Sequence, residues 1–196
     1  MKKKLILVAS PPACGKTYVS EMLAKELGSA VYLDKDDLCD IVRAGFAAAG
    51  EAVNMDGEFY INNIRTAEYS TILHIAFSTL RFENKVILCA PFGKEVRNTE
   101  FIKSLKTRAN EMDAELLLIW VEATADICRA RMIKRNSDRD TLKIKSWEDY
   151  VSKINYSAPT ELEKCGAVDR FLIFNTADDE VFKKSFDEAM KMILED

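Results

Sequence analysis

The residues best suited to chemistry stand near the start of the chain, in the stretch SPPACGKT at residues 10–17. An apolar run, LILVA, precedes this stretch, and KTYVSEMLAKEL, with apolar residues at helical spacing, continues from it. A loop between a strand and a helix can turn its backbone N–H groups towards a phosphate, and the helix dipole favours the negative charge. The stretch therefore predicts a phosphate-binding loop, called the phosphate loop below.

Three residues of the phosphate loop have predicted roles. Gly15 lets the backbone approach a phosphate where a Cβ would intrude. Lys16 can reach the β- and γ-phosphates of a nucleotide, and Thr17 offers its hydroxyl to Mg²⁺. Ser10 departs from the G-x-x-x-x-G-K-[ST] pattern, because it replaces the first glycine. The alternative is an ordinary tight turn that leads into a helix.

A cluster of acids follows the second apolar run, in the segment YLDKDDLCD. Because the carboxyl ends of parallel strands gather at one edge of a sheet, Asp34, Asp36 and Asp37 are expected beside the phosphate loop. A phosphoryl-transfer enzyme needs a carboxylate there, to accept the proton of an acceptor hydroxyl or to hold Mg²⁺ through water. The alternative is a helix N-cap, a position where Asp is preferred.

Five continuous apolar runs supply the elements that would position these residues. They are expected to be buried parallel strands, because apolar residues fill consecutive rather than alternating positions. Segments with helical periodicity separate them, so the chain predicts an α/β domain with a doubly wound sheet. The runs cover residues 4–9, 30–33, 85–90, 115–121 and 170–175.

The stretch LILVASPPACGKTYVSEMLAKEL resembles the P-loop kinases, a superfamily that includes gluconate, shikimate, polynucleotide and zeta-toxin-type kinases. Their pattern G-x-P-G-S-G-K-[ST] keeps Pro12, Gly15, Lys16 and Thr17 of this chain. The resemblance implies a five-stranded parallel sheet of order 2-3-1-4-5, flanked by helices and carrying a lid. It also implies nucleotide contacts from Pro12, Ala13, Cys14, Gly15, Lys16, Thr17 and Tyr18.

The acid cluster is similar to the R-D-D-x-x-R segment of polynucleotide kinases, and on that match Asp36 is the candidate general base. Asp36 would also touch the acceptor and contribute to the metal site. Cys39 stands where those enzymes carry an arginine that grips a nucleic-acid phosphate, which argues against a polynucleotide substrate. Residues after the third strand differ too, since Cys89 and Ala90 occupy the place of the usual metal-holding acid.

A basic stretch resembles the lid of small-molecule and nucleotide kinases. Seven of the 28 Lys and Arg residues fall between Arg129 and Lys145. A lid at about residues 131–147 is predicted, with Asn136–Asp140 as a mobile loop and arginines that neutralise charge on the transferring phosphoryl group. Arg135 is the first choice, as a catalytic and nucleotide-binding residue, followed by Arg131 and Arg139. The alternative is a solvated charged face.

The acceptor is expected to bind at residues 42–68, called the acceptor segment below, where small kinases place their substrate-binding residues. Arg65 is the candidate there, with Arg139 from the lid. Arg97, just past the third strand, is a candidate acceptor contact or equally a surface charge. At the other side of the sheet, Asn175 follows the last strand, where these folds cradle adenine.

Composition narrows the function classes. A chain of 196 residues, 48% hydrophobic and 31% charged, fits one globular domain over residues 1–196. Its net charge of −4 argues against bulk binding of nucleic acid. Five widely spaced cysteines and one histidine argue against structural zinc. The odd cysteine count without a secretory leader favours the cytoplasm, and no run is long enough for a membrane span.

These features together predict an ATP-dependent phosphotransferase that moves the γ-phosphate of ATP, with Mg²⁺, to a hydroxyl of a small molecule. Two alternatives stay open. One is a kinase of nucleic-acid 5′ ends or of a nucleotide sugar. The other is a regulatory module that binds ATP without efficient transfer, which Ser10 and Cys89 make conceivable.

Overall fold

A parallel sheet of five strands forms the centre of the molecule. The computed structural model describes residues 2–195, apart from the side chains at positions 138, 139 and 142. Within this part the strand order β2-β3-β1-β4-β5 confirms the predicted sheet. The strands are β1 (Lys3–Ala9), β2 (Val31–Asp34), β3 (Lys85–Cys89), β4 (Ala114–Glu122) and β5 (Arg170–Asn175).

The central strands are apolar at consecutive positions because helices cover both faces of the sheet. Alternate residues of β1 belong to two different cores: Leu5 and Leu7 pack on one face, Ile6 and Val8 on the other. The helices of the described residues are α1 (Lys16–Leu27), α2 (Cys39–Ala49), α3 (Arg65–Thr79), α4 (Thr99–Asn110), α5 (Ala125–Arg135), α6 (Asp138–Lys145), α7 (Trp147–Ser152), α8 (Glu161–Lys164) and α9 (Asp179–Leu194).

Local signals in the sequence set several helix ends. Helix α1 ends at Gly28, which takes a left-handed φ of 62° and returns its N–H to the carbonyl of Ala24. Asn98 and Asp178 cap α4 and α9, since each side chain accepts a hydrogen bond from a backbone N–H of the first turn. The sheet and these helices thus follow from patterns visible along the chain.

Two segments differ from the sequence-based expectation. The stretch NNIRTAEYSTILHIAFSTLRF, residues 62–82, predicts one long helix leading into the third strand, but the structure has a π turn, Tyr60–Ile64, followed by α3. The mobile loop predicted at Asn136–Asp140 is wrong, because helix α6 begins at Asp138. Asn136, with a left-handed φ of 46°, makes the break after α5. Among residues 2–195, no helix has both the length and the apolarity to cross a bilayer.

Candidate active site

The phosphate loop joins β1 to α1 with two residues in the left-handed region. Gly15 has a φ of 101°, so an L side chain there would be strained, and Ala13 has a φ of 65°. Ala13 replaces a glycine of the P-loop kinase pattern, which costs roughly 1 kcal/mol at positive φ. Ser10 is buried, and its hydroxyl donates to the carbonyl of Pro11 at 2.8 Å. The loop therefore keeps its turn despite both substitutions.

One arginine fixes the phosphate loop through hydrogen bonds to its backbone. Arg131, on α5, donates from Nη1 to the carbonyl of Cys14 at 2.9 Å and to Thr176 Oγ1 at 2.9 Å. Its Nη2 donates to the Thr176 carbonyl at 2.7 Å. Thr176 Oγ1 in turn lies 2.8 Å from the Cys14 carbonyl oxygen. These three residues, called the loop brace below, join the phosphate loop to the loop after β5.

Residues at the start of α1 meet the end of β3. Lys16 is partly exposed, and Thr17 Oγ1 lies 3.9 Å from Cys89 Sγ. Burial and the nearby Asp34 carboxylate raise the pKa of Cys89 to about 11, while the positive charge of Lys16 opposes the shift. The Cys89 side chain is thus a neutral thiol at pH 7, and it takes the place beside Thr17 where an acid was expected.

The three predicted acids have separate surroundings. Asp34 ends β2 and caps the 3₁₀ turn Lys35–Leu38, since its Oδ1 accepts from the Asp36 N–H at 2.9 Å and its Oδ2 accepts from the Tyr32 hydroxyl at 2.7 Å. The cap is therefore Asp34. The Asp36 side chain is 51% exposed and lies 3.2 Å from Lys35 Nζ. About half of the Asp36 side chain thus faces solvent beside its ion pair with Lys35.

A buried charge network connects the acid cluster to the acceptor segment. Lys35 Nζ donates to Glu68 Oε1 at 2.8 Å, and the Tyr60 hydroxyl donates to Glu68 Oε2. The Glu68 side chain is only 2% exposed. Burial lowers the pKa of Lys35, but its bonds to Glu68 and Asp36 outweigh this and raise it. No local pattern in the sequence indicates this network, because Lys35 and Glu68 lie 33 positions apart.

The structure gives Arg65 a partner of its own. Its guanidinium forms two bonds to the Glu95 carboxylate, at 2.5 and 2.8 Å, and stacks 4.3 Å from the centre of the Tyr69 ring. An acceptor that used Arg65 would have to share it with Glu95. Arg97 also has partners, since it donates to the Ser157 carbonyl and lies 5.4 Å from the Trp120 ring.

The lid segment holds one ion pair within itself and contacts the acceptor segment through another. Arg135 forms two bonds to the buried Asp140, at 2.6 and 2.9 Å. Lys143 on α6 lies 3.2 Å from Asp56 of the acceptor segment. The lid and the acceptor segment are therefore in contact. The side chain of Arg139, a predicted acceptor contact, lies outside the part of the chain that the structure describes.

A cleft of about 200 Å³ opens next to the loop brace, between the carboxyl ends of β4 and β5. Asn175 Nδ2 lies 3.3 Å from Glu122 Oε1, and its Oδ1 accepts from the Ala177 N–H at 2.8 Å. The cleft is lined by Glu122, Ala123, Thr124, Tyr156, Asn175 and Ala177. Tyr18 stands apart from this lining, exposed on α1 with its ring 5.5 Å from that of Phe182.

The side chains at this site fit Mg²⁺ only if the phosphates of a nucleotide supply further oxygen ligands. Across residues 2–195 no group of three or more His, Cys, Asp or Glu side chains is arranged for a metal. Mg²⁺ prefers oxygen ligands and commonly keeps waters, with one or two carboxylates and the substrate phosphates. Thr17 supplies a hydroxyl, whereas the neutral thiol of Cys89 is a poor ligand. Asp34 and Asp36 supply carboxylates at the end of β2.

Sequence reasoning gave an N-cap as the alternative role for the acid cluster without choosing Asp34. It missed the Lys35–Glu68 pair and the part that Glu122 and Tyr156 play in lining the cleft. The end of β2 was a usable signal for Asp34, since a residue at a strand end is placed to cap the turn that follows. Glu122 also stands at a strand end. No local pattern marks Lys35 or Tyr156, because their partners come from distant segments.

Comparisons with known proteins agree with this architecture. The family model described as an AAA domain matches residues 5–155. A tRNA dimethylallyltransferase from Alkaliphilus oremlandii (strain OhILAs) is 27% identical over 202 residues, which cover 92% of this chain and 64% of that protein. The chain thus spans less than two thirds of the length of this curated relative.

Solved structures share the fold at low identity. A protein from Chloroflexus aurantiacus J-10-fl with an inferred kinase activity has a TM-score of 0.65 and 18% identity, covering 98% of this chain and 97% of its own. A sugar kinase from Janibacter sp. HTCC2649 has a TM-score of 0.58 and 11% identity, covering 97% and 94%. Chaetomium thermophilum Kti12, in complex with ADP-AlF3, has a TM-score of 0.56 and 16% identity, covering 97% and 100%.

Proposed function

Because this chain belongs to the AAA domain family AAA_33, we propose that it is an ATP-dependent phosphotransferase that moves a γ-phosphate to a hydroxyl of a small molecule. The observation that carries the proposal is the pairing of a braced phosphate loop with a half-exposed Asp36, both at the carboxyl edge of one sheet. One side can hold the donor phosphates and the other can take a proton from the acceptor.

The donor side would act through backbone groups and one lysine. Residues 13–17 present N–H groups at the start of α1, where the helix dipole favours a phosphate. Lys16 would neutralise the β- and γ-phosphates, and the negative charge left on ADP as the γ-phosphoryl group departs. The cleft beside Asn175 would take the base, since it adjoins the loop brace that fixes the phosphate loop.

The acceptor side would act through Asp36. Its carboxylate would accept the proton of the acceptor hydroxyl as that oxygen bonds to the γ-phosphorus and the bond to the ADP oxygen breaks. Lys35 holds Asp36 from the protein side, and Asp34 fixes the backbone of the same turn. Arg135 would serve the transferring phosphoryl group after exchanging its bonds to Asp140.

Thr17 would hold Mg²⁺ together with the nucleotide, and Asp34 and Asp36 could hold its waters. The ion, when bound, would reduce the negative charge on the phosphates and orient them. The residues of the chain would then complete three tasks. They would bind the donor, exclude water beneath the lid and remove the acceptor proton.

A panel of acceptors tests this function directly. Sugars, nucleosides, aminoglycosides, oligonucleotides and tRNA are each incubated with ATP and Mg²⁺, and ADP formation is measured. We expect one class of small hydroxyl compound to raise turnover. Lys16→Ala should abolish ATP binding measured by calorimetry. Asp36→Asn should keep ATP binding and lower transfer by about 10²-fold or more.

Asp37→Asn is the matched control, because Asp37 is the exposed neighbour in the same turn. It should leave transfer within a factor of about two. Unchanged transfer in Asp36→Asn would remove Asp36 from the mechanism. Transfer to an oligonucleotide or tRNA alone would replace the small-molecule acceptor with a nucleic acid.

A second candidate function is a regulatory module that binds ATP without efficient transfer. The neutral thiol of Cys89 beside Thr17 favours it, because the usual acid for a metal-bound water is missing there. Cys89→Asp tests this candidate. A gain in ATP turnover with retained ATP affinity would support a module in which transfer is held back by the missing acid.

A further inference from the structure

Two cysteine side chains meet beneath the phosphate loop. Cys14 belongs to that loop and Cys128 is the fourth residue of α5, and their sulfur atoms are 3.5 Å apart. Both residues are fully buried, in the core between the sheet and α1, α5 and α9. The contact therefore joins the segment proposed to bind phosphate to the helix that carries Arg131.

The surroundings shift the pKa values of the two cysteines in opposite directions. The two thiols share a hydrogen bond in which either sulfur can donate. This bond lowers the pKa of Cys128, and the positive charge of Arg131 lowers it further against the effect of burial. The same hydrogen bond and burial raise the pKa of Cys14. Cys128 is thus the better nucleophile, and Cys14 keeps the proton that a leaving hydroxide needs.

We propose that Cys14 and Cys128 form a reversible oxidation site, at which a small hydroperoxide creates a disulfide between the phosphate loop and α5. The Cys128 thiolate attacks one peroxide oxygen, the O–O bond breaks, and a sulfenic acid forms with release of hydroxide. The Cys14 sulfur then attacks the Cys128 sulfur. The S–O bond breaks, and the hydroxide leaves as water with the Cys14 proton.

The disulfide changes the phosphate loop because the two sulfurs must approach to about 2 Å. Cys14 then moves relative to Arg131, whose bond to the Cys14 carbonyl holds the loop amides in position. A displacement of about 1 Å in a binding site can cost about 10²-fold in function. Oxidation should therefore weaken nucleotide binding at least tenfold.

The site is tested with hydrogen peroxide in the background Cys39→Ser with Cys165→Ser, which removes the two cysteines that are not buried and leaves Cys89 as an internal control. After treatment, the remaining thiols are alkylated and the peptides are mapped by mass. We expect a peptide pair linked through Cys14 and Cys128, smaller by two hydrogen atoms, while Cys89 is still alkylated. Dithiothreitol should restore both thiols.

ADP affinity is measured before and after oxidation. We expect a loss of at least tenfold that dithiothreitol reverses. Cys128→Ser, or Cys128→Ala if that variant folds better, should bind ADP as tightly as the parent and should not respond to peroxide. This readout rests on the proposed nucleotide binding, whereas the peptide map does not, so the two proposals fail separately.

Two results would overturn the oxidation site. One is that Cys14 and Cys128 stay alkylatable, or gain oxygen without becoming linked, under peroxide that modifies Cys89. The other is a linked protein whose ADP affinity is unchanged or is not restored by dithiothreitol. If the unoxidised parent binds no ADP while the link still forms, the proposed function fails and the oxidation chemistry stands.

Discussion

The proposed nucleotide side and the proposed acceptor side of this site, called the nucleotide side and the acceptor side below, are held by different kinds of interaction. On the nucleotide side, Arg131 and Thr176 bind the carbonyl of Cys14, so backbone atoms define the geometry. On the acceptor side, Lys35 pairs with Glu68 and Arg65 with Glu95, so charged side chains define it. A surface of backbone groups suits the phosphates, because they are the part of the ligands that would not vary. Paired side chains can be exchanged to suit different acceptors.

The largest expected effect comes from breaking the buried charge pair on the acceptor side. Glu68→Ala leaves Lys35 without its closest carboxylate in a buried position, and removing one partner of such a pair costs about 3–5 kcal/mol. The free energy of unfolding, measured with urea, should fall by that amount. Glu100→Ala is the control, since its pair with Lys103 is exposed, and it should change stability by less than about 0.5 kcal/mol.

Equal losses of unfolding free energy in Glu68→Ala and Glu100→Ala would contradict the view that buried charge pairs hold the acceptor side. Glu68→Gln refines the test, because its amide oxygen can still accept from Lys35 while the charge is removed, and its NH2 group can meet the Tyr60 hydroxyl only as a donor. We expect a loss between those of Glu68→Ala and the control.

The next effect concerns the loop brace. Arg131→Lys keeps a positive charge but cannot reproduce the planar arrangement of donors that binds Cys14 and Thr176 together. The phosphate loop should be less fixed, and ADP affinity should fall by about tenfold, or about 1.4 kcal/mol. Calorimetric titration measures it. Lys134→Met is the control on the exposed face of the same helix, and unchanged ADP affinity in Arg131→Lys would remove the brace from nucleotide binding.

The two sides also differ in how far the sequence could predict them. The phosphate loop and the place of Asp36 after the second strand were predictable because each depends on neighbouring residues and on the rule that parallel strands end together, whereas the strand order was expected from the resemblance to P-loop kinases. The loop brace was not, since Arg131 bonds to residues 117 and 45 positions away. The Lys35–Glu68 pair is also long-range, at 33 positions.

A prediction on the phosphate loop itself concerns Ala13. Its φ of 65° strains an L side chain, so Ala13→Gly should raise the free energy of unfolding, by up to about 1 kcal/mol. Ala24→Gly, inside helix α1, is the matched control and should lower stability by about 1 kcal/mol. Thermal and urea unfolding measure both. A loss of stability in Ala13→Gly would mean that the loop does not store this strain.

The smallest effect tests where the two sides meet. Lys143 on the lid lies 3.2 Å from Asp56 of the acceptor segment, whose side chain is 70% exposed. A double-mutant cycle of Lys143→Met and Asp56→Asn should give a coupling energy of about 0.2–1 kcal/mol in urea unfolding, which falls as salt is added. Because both partners would have to separate when the lid opens, ADP binding should be faster in Lys143→Met. A coupling energy of zero at low salt would mean that the lid and the acceptor segment do not interact. The nucleotide side, the acceptor side and the lid would then be three independent parts of the site.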